Sequence, residues 1–344
     1  MIEGIIWAVS AGIMLGLYAL PEKFTKEFEF ENTWGTFFTT ALFVVPLIAV
    51  MLLVNGFGAI MSAIPAEVYV KMAIASILWG VGVMMWGKAI NHIGLSLGFS
   101  IFIGTIILVG SLLPFIVDGL PATKALITIL LGIFVVLIGV ILNGRAGMIR
   151  HNAETSDQAE GEQKGSMVTG IIIAVVGGLL ATGFSFANAV GNPASDSTKQ
   201  YIKNALIEQG NPEWMLAIII MFIIYVAGGL FVTPYFIVQL SKKKLWGNFK
   251  TAHLGKNLVM TSLMAVLNFA ASASFAYAAF ALGSAGNTVG YAIFNAISVA
   301  VAIIGGLLTG EWTKAPSKAK SSLYLGLALM ICGVIIVAIG NGLA

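Results

Sequence analysis

The residues of this chain that could do chemistry are mostly uncharged. Asn188 and Ser185, Asn268, Ser272 and Ser274, and Asn295 and Ser298 all fall inside long apolar stretches. A solute rich in hydroxyls, such as a small sugar, needs donors and acceptors for those hydroxyls and aromatic faces for its C–H surface. Trp79, Trp86, Phe184, Tyr277 and Tyr291 offer such faces. Trp79 and Trp86 are seven residues apart, which puts them on one face of a helix. Each residue also has a plainer reading. An Asn or Ser among apolar helices makes interhelical contacts worth about 0.6 kcal/mol, and a Tyr or Trp near a helix end belongs to the membrane-interface belt.

Charge is placed differently. No Asp or Glu lies mid-stretch, and Glu3, Glu22, Glu31 and Glu311 sit at the ends of apolar runs. Buried carboxylates are the usual proton relays inside membranes, so any coupled cation would have to be handled at helix ends. The coupling candidates are Glu22, which precedes Lys23 and follows Pro21, together with Lys88, His92 and Glu311. Histidine is the side chain type that can exchange a proton near neutral pH, which makes His92 a candidate. Lys88 could donate to a substrate hydroxyl or extend to the interface.

Several enzymatic readings fail on context. Gly94-Leu95-Ser96-Leu97-Gly98 spells the nucleophile-elbow pattern, but that elbow needs a strand-to-helix turn and a partnered base. His151 and His253 lie in polar segments, so no helix offers an intramembrane serine protease its base. No Asp pair supports metal-dependent prenyl transfer, and neither a phosphate-binding loop nor a zinc pattern occurs. The sequence predicts no enzyme, no cofactor and no metal site.

The elements that must hold these residues are membrane helices. Of 344 residues, 58% are hydrophobic and 10% charged, with mean hydropathy +0.97, whereas soluble domains carry about 25% charged residues. Apolar runs near 20 residues long match what a helix needs to cross ~30 Å of hydrocarbon. Strand-like alternation is absent. Spans are expected near 4–21, 34–54, 68–90, 95–117, 125–142, 167–189, 214–240, 257–281, 288–309 and 321–341. No basic leader precedes the first span, which is expected to persist. The lone Cys332 gives no intramolecular disulfide, and a net charge of +3 does not point to nucleic acid.

Lys and Arg concentrate in loops on the cytoplasmic side. Lys23, Lys26, Lys88, Arg145, Arg150, Lys164, Lys242, Lys243, Lys244, Lys250, Lys256, Lys314, Lys318 and Lys320 follow the odd-numbered spans. Only Lys71, Lys124, Lys199 and Lys203 fall on the other side. The odd-numbered spans are therefore expected to end in the cytoplasm, with both termini outside. Ser197–Glu208 reads as a short external helix or an extension of the sixth span.

The chain also resembles itself. Gly4-Ile5-Ile6-Trp7-Ala8-Val9-Ser10-Ala11-Gly12 aligns with Gly170-Ile171-Ile172-Ile173-Ala174-Val175-Val176-Gly177-Gly178. Leu131-Gly132 with Gly139-Val140-Ile141 aligns with Leu325-Gly326 and Gly333-Val334-Ile335. A five-span unit enters and leaves on opposite faces, so its second copy is inverted, an arrangement common among alternating-access transporters. The expected organisation is a first repeat over 1–142, a polar cytoplasmic linker over 143–166 and a second repeat over 167–344.

A family resemblance rests on particular residues. Trp79-Gly80 with Gly87, then Gly94, Ser96, Gly98, Gly104, Gly110 and Leu113-Pro114, resembles the third-to-fourth span signature of the L-rhamnose–proton symporter family, a branch of the drug/metabolite transporter superfamily. Arg145-Ala146-Gly147, Gly183 with Ser185-Phe186-Ala187, and Glu311-Trp312 are similar to it as well, with Glu31-Asn32-Thr33-Trp34 a looser match. The resemblance implies ten helices, cation-coupled sugar uptake and a central cavity lined by spans one, three, four, six, eight and nine. Asn268-Phe269-Ala270-Ala271-Ser272-Ala273-Ser274 departs from the family's large aromatic and amide residues, which suits a different or larger solute.

The sequence thus predicts an all-α integral membrane protein of ten transmembrane helices in two inverted five-helix repeats, resident in a bacterial inner membrane. Its expected partners are a small sugar (L-rhamnose or a related monosaccharide), a coupling proton or sodium ion, and membrane lipid. Export of a metabolite or drug, and a receptor or assembly role without transport, are the alternatives.

Overall fold

The computed structural model describes residues 1–155, 167–193, 197–283, 285–308, 310 and 312–343. Among the described residues ten helices are long and apolar enough to cross a bilayer: α1 (Ile2–Phe24), α2 (Phe30–Leu53), α3 (Ala66–Trp86), α4 (Ile101–Asp118), α5 (Thr123–Arg150), α6 (Met167–Gly191), α7 (Glu213–Lys242), α8 (Leu254–Leu282), α9 (Gly286–Leu308) and α10 (Ser317–Asn341). No strand occurs among the described residues. In α2 the ladder widens to a π segment over Thr40–Val44 just before Pro46, whose ring nitrogen has no hydrogen to donate. The short helix expected within Ser197–Glu208 is present as Tyr201–Glu208, with Ile202, Ala205 and Leu206 buried.

Two boundaries differ from the sequence expectation. Residues Ala66–Leu112 are helical throughout, with no loop at Asn91–Gly94. The chain nevertheless reverses there. The rings of Trp86 and Phe102 lie 6.0 Å apart, whereas sixteen residues of straight helix would span about 24 Å. Polar residues from Asn143 onward, expected as linker, instead continue the preceding helix to Thr155. The helix persists past the apolar run, and Arg150 near its end lies over the Trp312 ring at 4.6 Å.

The helices pack through glycine. A Cβ on Gly132 would lie 2.9 Å from Gly333 O, and one on Gly333 would lie 2.8 Å from Gly132 O. Gly139 and Gly326 approach each other's carbonyls in the same way, at 2.6 and 2.7 Å. Close backbone approach of this kind supplies dispersion contact where lipid leaves no hydrophobic drive between helices. Matching geometry recurs elsewhere. A Cβ on Gly12 of α1 would lie 2.9 Å from Phe294 O and 2.6 Å from Ile297 Cβ of α9, and one on Gly178 of α6 would lie 2.9 Å from Phe102 O and 2.7 Å from Thr105 Cβ of α4.

The two ends of the bundle are chemically distinct. At one end Asn257 of α8 holds the backbone of Lys26 after α1 through two hydrogen bonds (3.0 and 2.8 Å), among many lysines. At the other, Met1 touches Gly342, so both termini share one face. Helices α1 and α6 run in opposite senses: Gly4 starts α1 against Leu282, close to Asn287, which bonds Asn188 near the end of α6.

Candidate substrate cavity and its sealed face

A cavity of about 730 Å³ opens at the lysine-rich end between α1, α2, α3 and α7. Its volume falls in the usual range of about 300–1,000 Å³ for small-molecule sites. Tyr18, Phe30, Trp34, Phe38, Trp86 and Phe236 give it aromatic walls, and Glu22, Glu29, Glu31, Lys88 and Lys243 supply charge. Pro21 starts a 3₁₀ turn that carries Glu22, whose Oε1 accepts the Trp34 indole N–H at 2.7 Å. Trp34 is itself fixed by edge contacts with Tyr18 (6.3 Å) and Phe37 (5.3 Å).

The start of α2 is tied to the turn after α7. Asn32 donates to Leu245 O at 3.0 Å and accepts from Asn248 Nδ2 at 3.1 Å. Beside it, Lys243 Nζ donates to Glu31 Oε1 at 2.6 Å. That bond holds the Lys243 ammonium above the ordinary lysine range.

Deeper in the bundle, one turn past Val83 on α3, Trp79 packs on Phe184 (5.4 Å) and Tyr225 (5.6 Å). Phe275 and Tyr291 extend this aromatic layer. The Tyr225 hydroxyl lies 2.6 Å from Ser272 Oγ, 2.8 Å from Asn268 Oδ1 and 3.1 Å from Asn268 O. A phenol has one proton, so when Tyr225 donates to Asn268, Ser272 donates to Tyr225. Asn268 is the midpoint of the 29-residue helix Leu254–Leu282, so this polar centre sits near the middle of the bilayer.

Toward the opposite end, side-chain hydrogen bonds join the helices. Asn188 Nδ2 donates to Asn287 Oδ1 at 2.8 Å, and Asn287 Nδ2 donates to Asp118 Oδ2 at 2.7 Å and to Asn192 O at 3.1 Å. Ser185 Oγ donates to Gly110 O at 2.5 Å just beneath. This network bridges α4, α6 and α9.

A sequence model of the L-rhamnose-proton symport protein family matches residues 1–343. The chain belongs to that family. It is 24% identical over 346 residues to the L-rhamnose-proton symporter of Cronobacter sakazakii, covering 98% of this chain and 97% of that protein. It is likewise 24% identical over 350 residues to the L-rhamnose-proton symporter of Yersinia pestis, covering 99% and 98%. Membership of this symport family, with ten apolar helices, makes the chain a multi-pass membrane transporter and not an enzyme.

In this transporter the sequence-predicted residues fall into separate groups. Trp79, Phe184, Asn268, Ser272 and Tyr291 meet in the central layer. Trp86, Glu22 and Lys88 line the open cavity. Ser185 and Asn188 belong to the sealed face. Asn295 is spent within its helix, donating to Tyr291 O at 2.9 Å. Tyr277 lies apart from the centre, donating to Glu3 at 2.7 Å and meeting Trp7 edge-on. His92 packs against Gly170 at the α3–α4 reversal, and the cavity walls do not include it. Glu311 lies outside the described residues. Sequence reasoning missed Tyr225, although a lone hydroxyl in the apolar middle of α7 was a visible signal. It also missed Asn287 and Asp118, which read as helix-end residues.

Proposed function

We propose that this protein imports a small sugar, L-rhamnose or a related monosaccharide, together with a proton by alternating access. The observation that carries the reading is a one-sided cavity: aromatic and acidic at the lysine-rich end, leading toward the Tyr225–Asn268–Ser272 centre, and sealed beyond it by Asn188, Asn287 and Asp118. The relatives' names supply the solute and the ion. Tyr225, Asn268 and Ser272 would meet sugar hydroxyls, while Trp79, Phe184 and Tyr291 would cover the ring's C–H faces.

The moving parts in this reading are two inverted repeats, 1–142 and 167–344, joined by 143–166. The reciprocal glycine contacts of α5 with α10, and the matched seats of Gly12 and Gly178, support it. The lysine bias supports a cytoplasmic cavity with both termini outside, in a bacterial inner membrane. The polar contacts that Asn287 makes at that face number three, each worth about 0.6 kcal/mol between membrane helices, a barrier small enough for gating. A wall of small residues on α8, with Ala271, Ala273 and Ala276 buried beside Ser272, favours a second reading in which the solute is bulkier than rhamnose or is exported.

Uptake of labelled sugars, L-rhamnose included, into cells expressing the protein, with and without a protonophore, tests the proposal. Saturable uptake that collapses with the proton gradient is expected. Absence of uptake of any sugar by protein present in the membrane would exclude sugar import.

A further inference from the structure

Resting on the sugar–proton reading above, we propose that Glu31 carries the coupled proton and that Lys243 is the counter-ion that replaces it. Three carboxylates reach the cavity: Glu22, Glu29 and Glu31. Glu29 is exposed, and its side chain accepts a backbone N–H in a capping box at the start of α2. Glu22 accepts the Trp34 indole, a neutral donor that stays in place whether or not an ion moves. Glu31 is bonded directly to a cation of the other half of the chain, Lys243 at 2.6 Å, and Glu29 adds to the negative field at that ammonium.

The two partners are unequally placed. The Glu31 side chain is 12% exposed and that of Lys243 is 54% exposed. The ammonium can therefore swing into water while the carboxylate stays in the cavity wall, where an unpaired charge is costly once water is excluded. Two forms of the site avoid that cost: Glu31 ionised with Lys243 on it, or Glu31 protonated with Lys243 gone. A solute that displaces Lys243 from the wall can be enclosed only with a proton on Glu31, which couples the two loads. The step is a protonation: the carboxylate oxygen gains a proton from water and its bond from the ammonium breaks.

Glu29 and Tyr235 also act on the Lys243 ammonium. Tyr235 and Gln239 of α7 line the cavity with Glu22, Glu29 and Lys88. At the start of α8, His253 faces Glu27 at 3.9 Å. Lys242, Lys244, Lys250 and Lys256 are exposed.

The test uses the full chain in proteoliposomes with labelled L-rhamnose. Two readouts are compared: exchange across the membrane at equal pH, and accumulation driven by a pH gradient with the accompanying proton movement. Glu31→Gln should keep exchange but lose accumulation and rhamnose-dependent proton uptake. Glu67→Gln, on an exposed pair at the other face, should match the wild type in both. Lys243→Gln should move the pH profile of accumulation upward, because an opposite charge favours the ionised form. Accumulation by Glu31→Gln at the wild-type level overturns the proposal, as does loss of exchange together with accumulation in a variant that elutes as folded protein. An unshifted Lys243→Gln profile overturns it even if Glu31→Gln does not fold. Wild-type vesicles that exchange no rhamnose would instead fail the sugar–proton reading, and the proposal with it.

Discussion

Replacing Asn287 by alanine should open the sealed face. Its amide makes three interhelical contacts there, with Asn188 (2.8 Å), Asp118 (2.7 Å) and Asn192 O (3.1 Å). At about 0.6 kcal/mol for each contact between membrane helices, their loss shifts the closed–open balance by about 1.8 kcal/mol, or roughly 20-fold. The readout is a cysteine at Ser185, a position 1% exposed and three residues from Asn188, in a chain whose exposed Cys332 has been changed to serine. Labelling by a membrane-impermeant maleimide added at the sealed face reports the open fraction, so Asn287→Ala should speed it about 20-fold. Asp118→Asn keeps an acceptor oxygen and should speed it by a smaller factor. Equal labelling rates with and without Asn287 would refute the gate, since the network would then be a packing contact that stays made in every state.

Three further outcomes follow from the same geometry. Tyr225→Phe removes the only hydroxyl that joins Asn268 to Ser272, and transport assayed over a range of sugar concentrations should show kcat/KM lower by about tenfold, the equivalent of ~1.4 kcal/mol. Gly132→Val drives a side chain into Val337 N and Gly333 O, both within 2.9 Å of the new Cβ. Overpacking of about 1–3 kcal/mol should lower the detergent melting temperature, whereas Gly58→Ala, with nothing within 4 Å, should leave it unchanged. Trp34→Phe takes the indole donor from Glu22; a hydrogen bond to a charged group is worth about 1.5–3 kcal/mol. The same melt should show part of that loss, with the aromatic packing retained.

The ten helices were legible because each is an apolar run of the right length, a signal that does not depend on what packs against what. The α3–α4 reversal was legible as two spans but not as a helical turn, because Gly87, Gly94 and Gly98 permit either a loop or a sharp bend. The end of α5 was misplaced because hydropathy marks where lipid contact stops, and the helix runs on to Thr155. The candidate site was legible by residue type and not by partner. Asn188 and Asn268 look alike in sequence, yet one bonds another helix's asparagine at a sealed face and the other meets a tyrosine at mid-bilayer. Glu31 and Lys243 are 212 residues apart, and nothing in either local sequence announces the other.

The proposed repeat gives the two faces a common description. The shift that carries Gly4 to Gly170 and Gly12 to Gly178 also carries Tyr18 to Phe184 and Glu22 to Asn188. Tyr18 and Glu22 line the open cavity, while Phe184 lies in the central aromatic layer and Asn188 in the hydrogen-bonded network beyond it. Under the proposed repeat, Glu22 and Asn188 are matched positions on opposite sides of the centre, as alternating access between inverted halves would require. The match is also unequal in chemistry: a carboxylate stands on the lysine-rich side where an amide stands on the other. An amide closes its face with neutral hydrogen bonds at any pH, whereas a carboxylate closed off from water must be protonated or paired. Closure of the lysine-rich face is therefore the step in which charge has to be neutralised, and every carboxylate of the cavity, with Lys88 and Lys243, lies on that side.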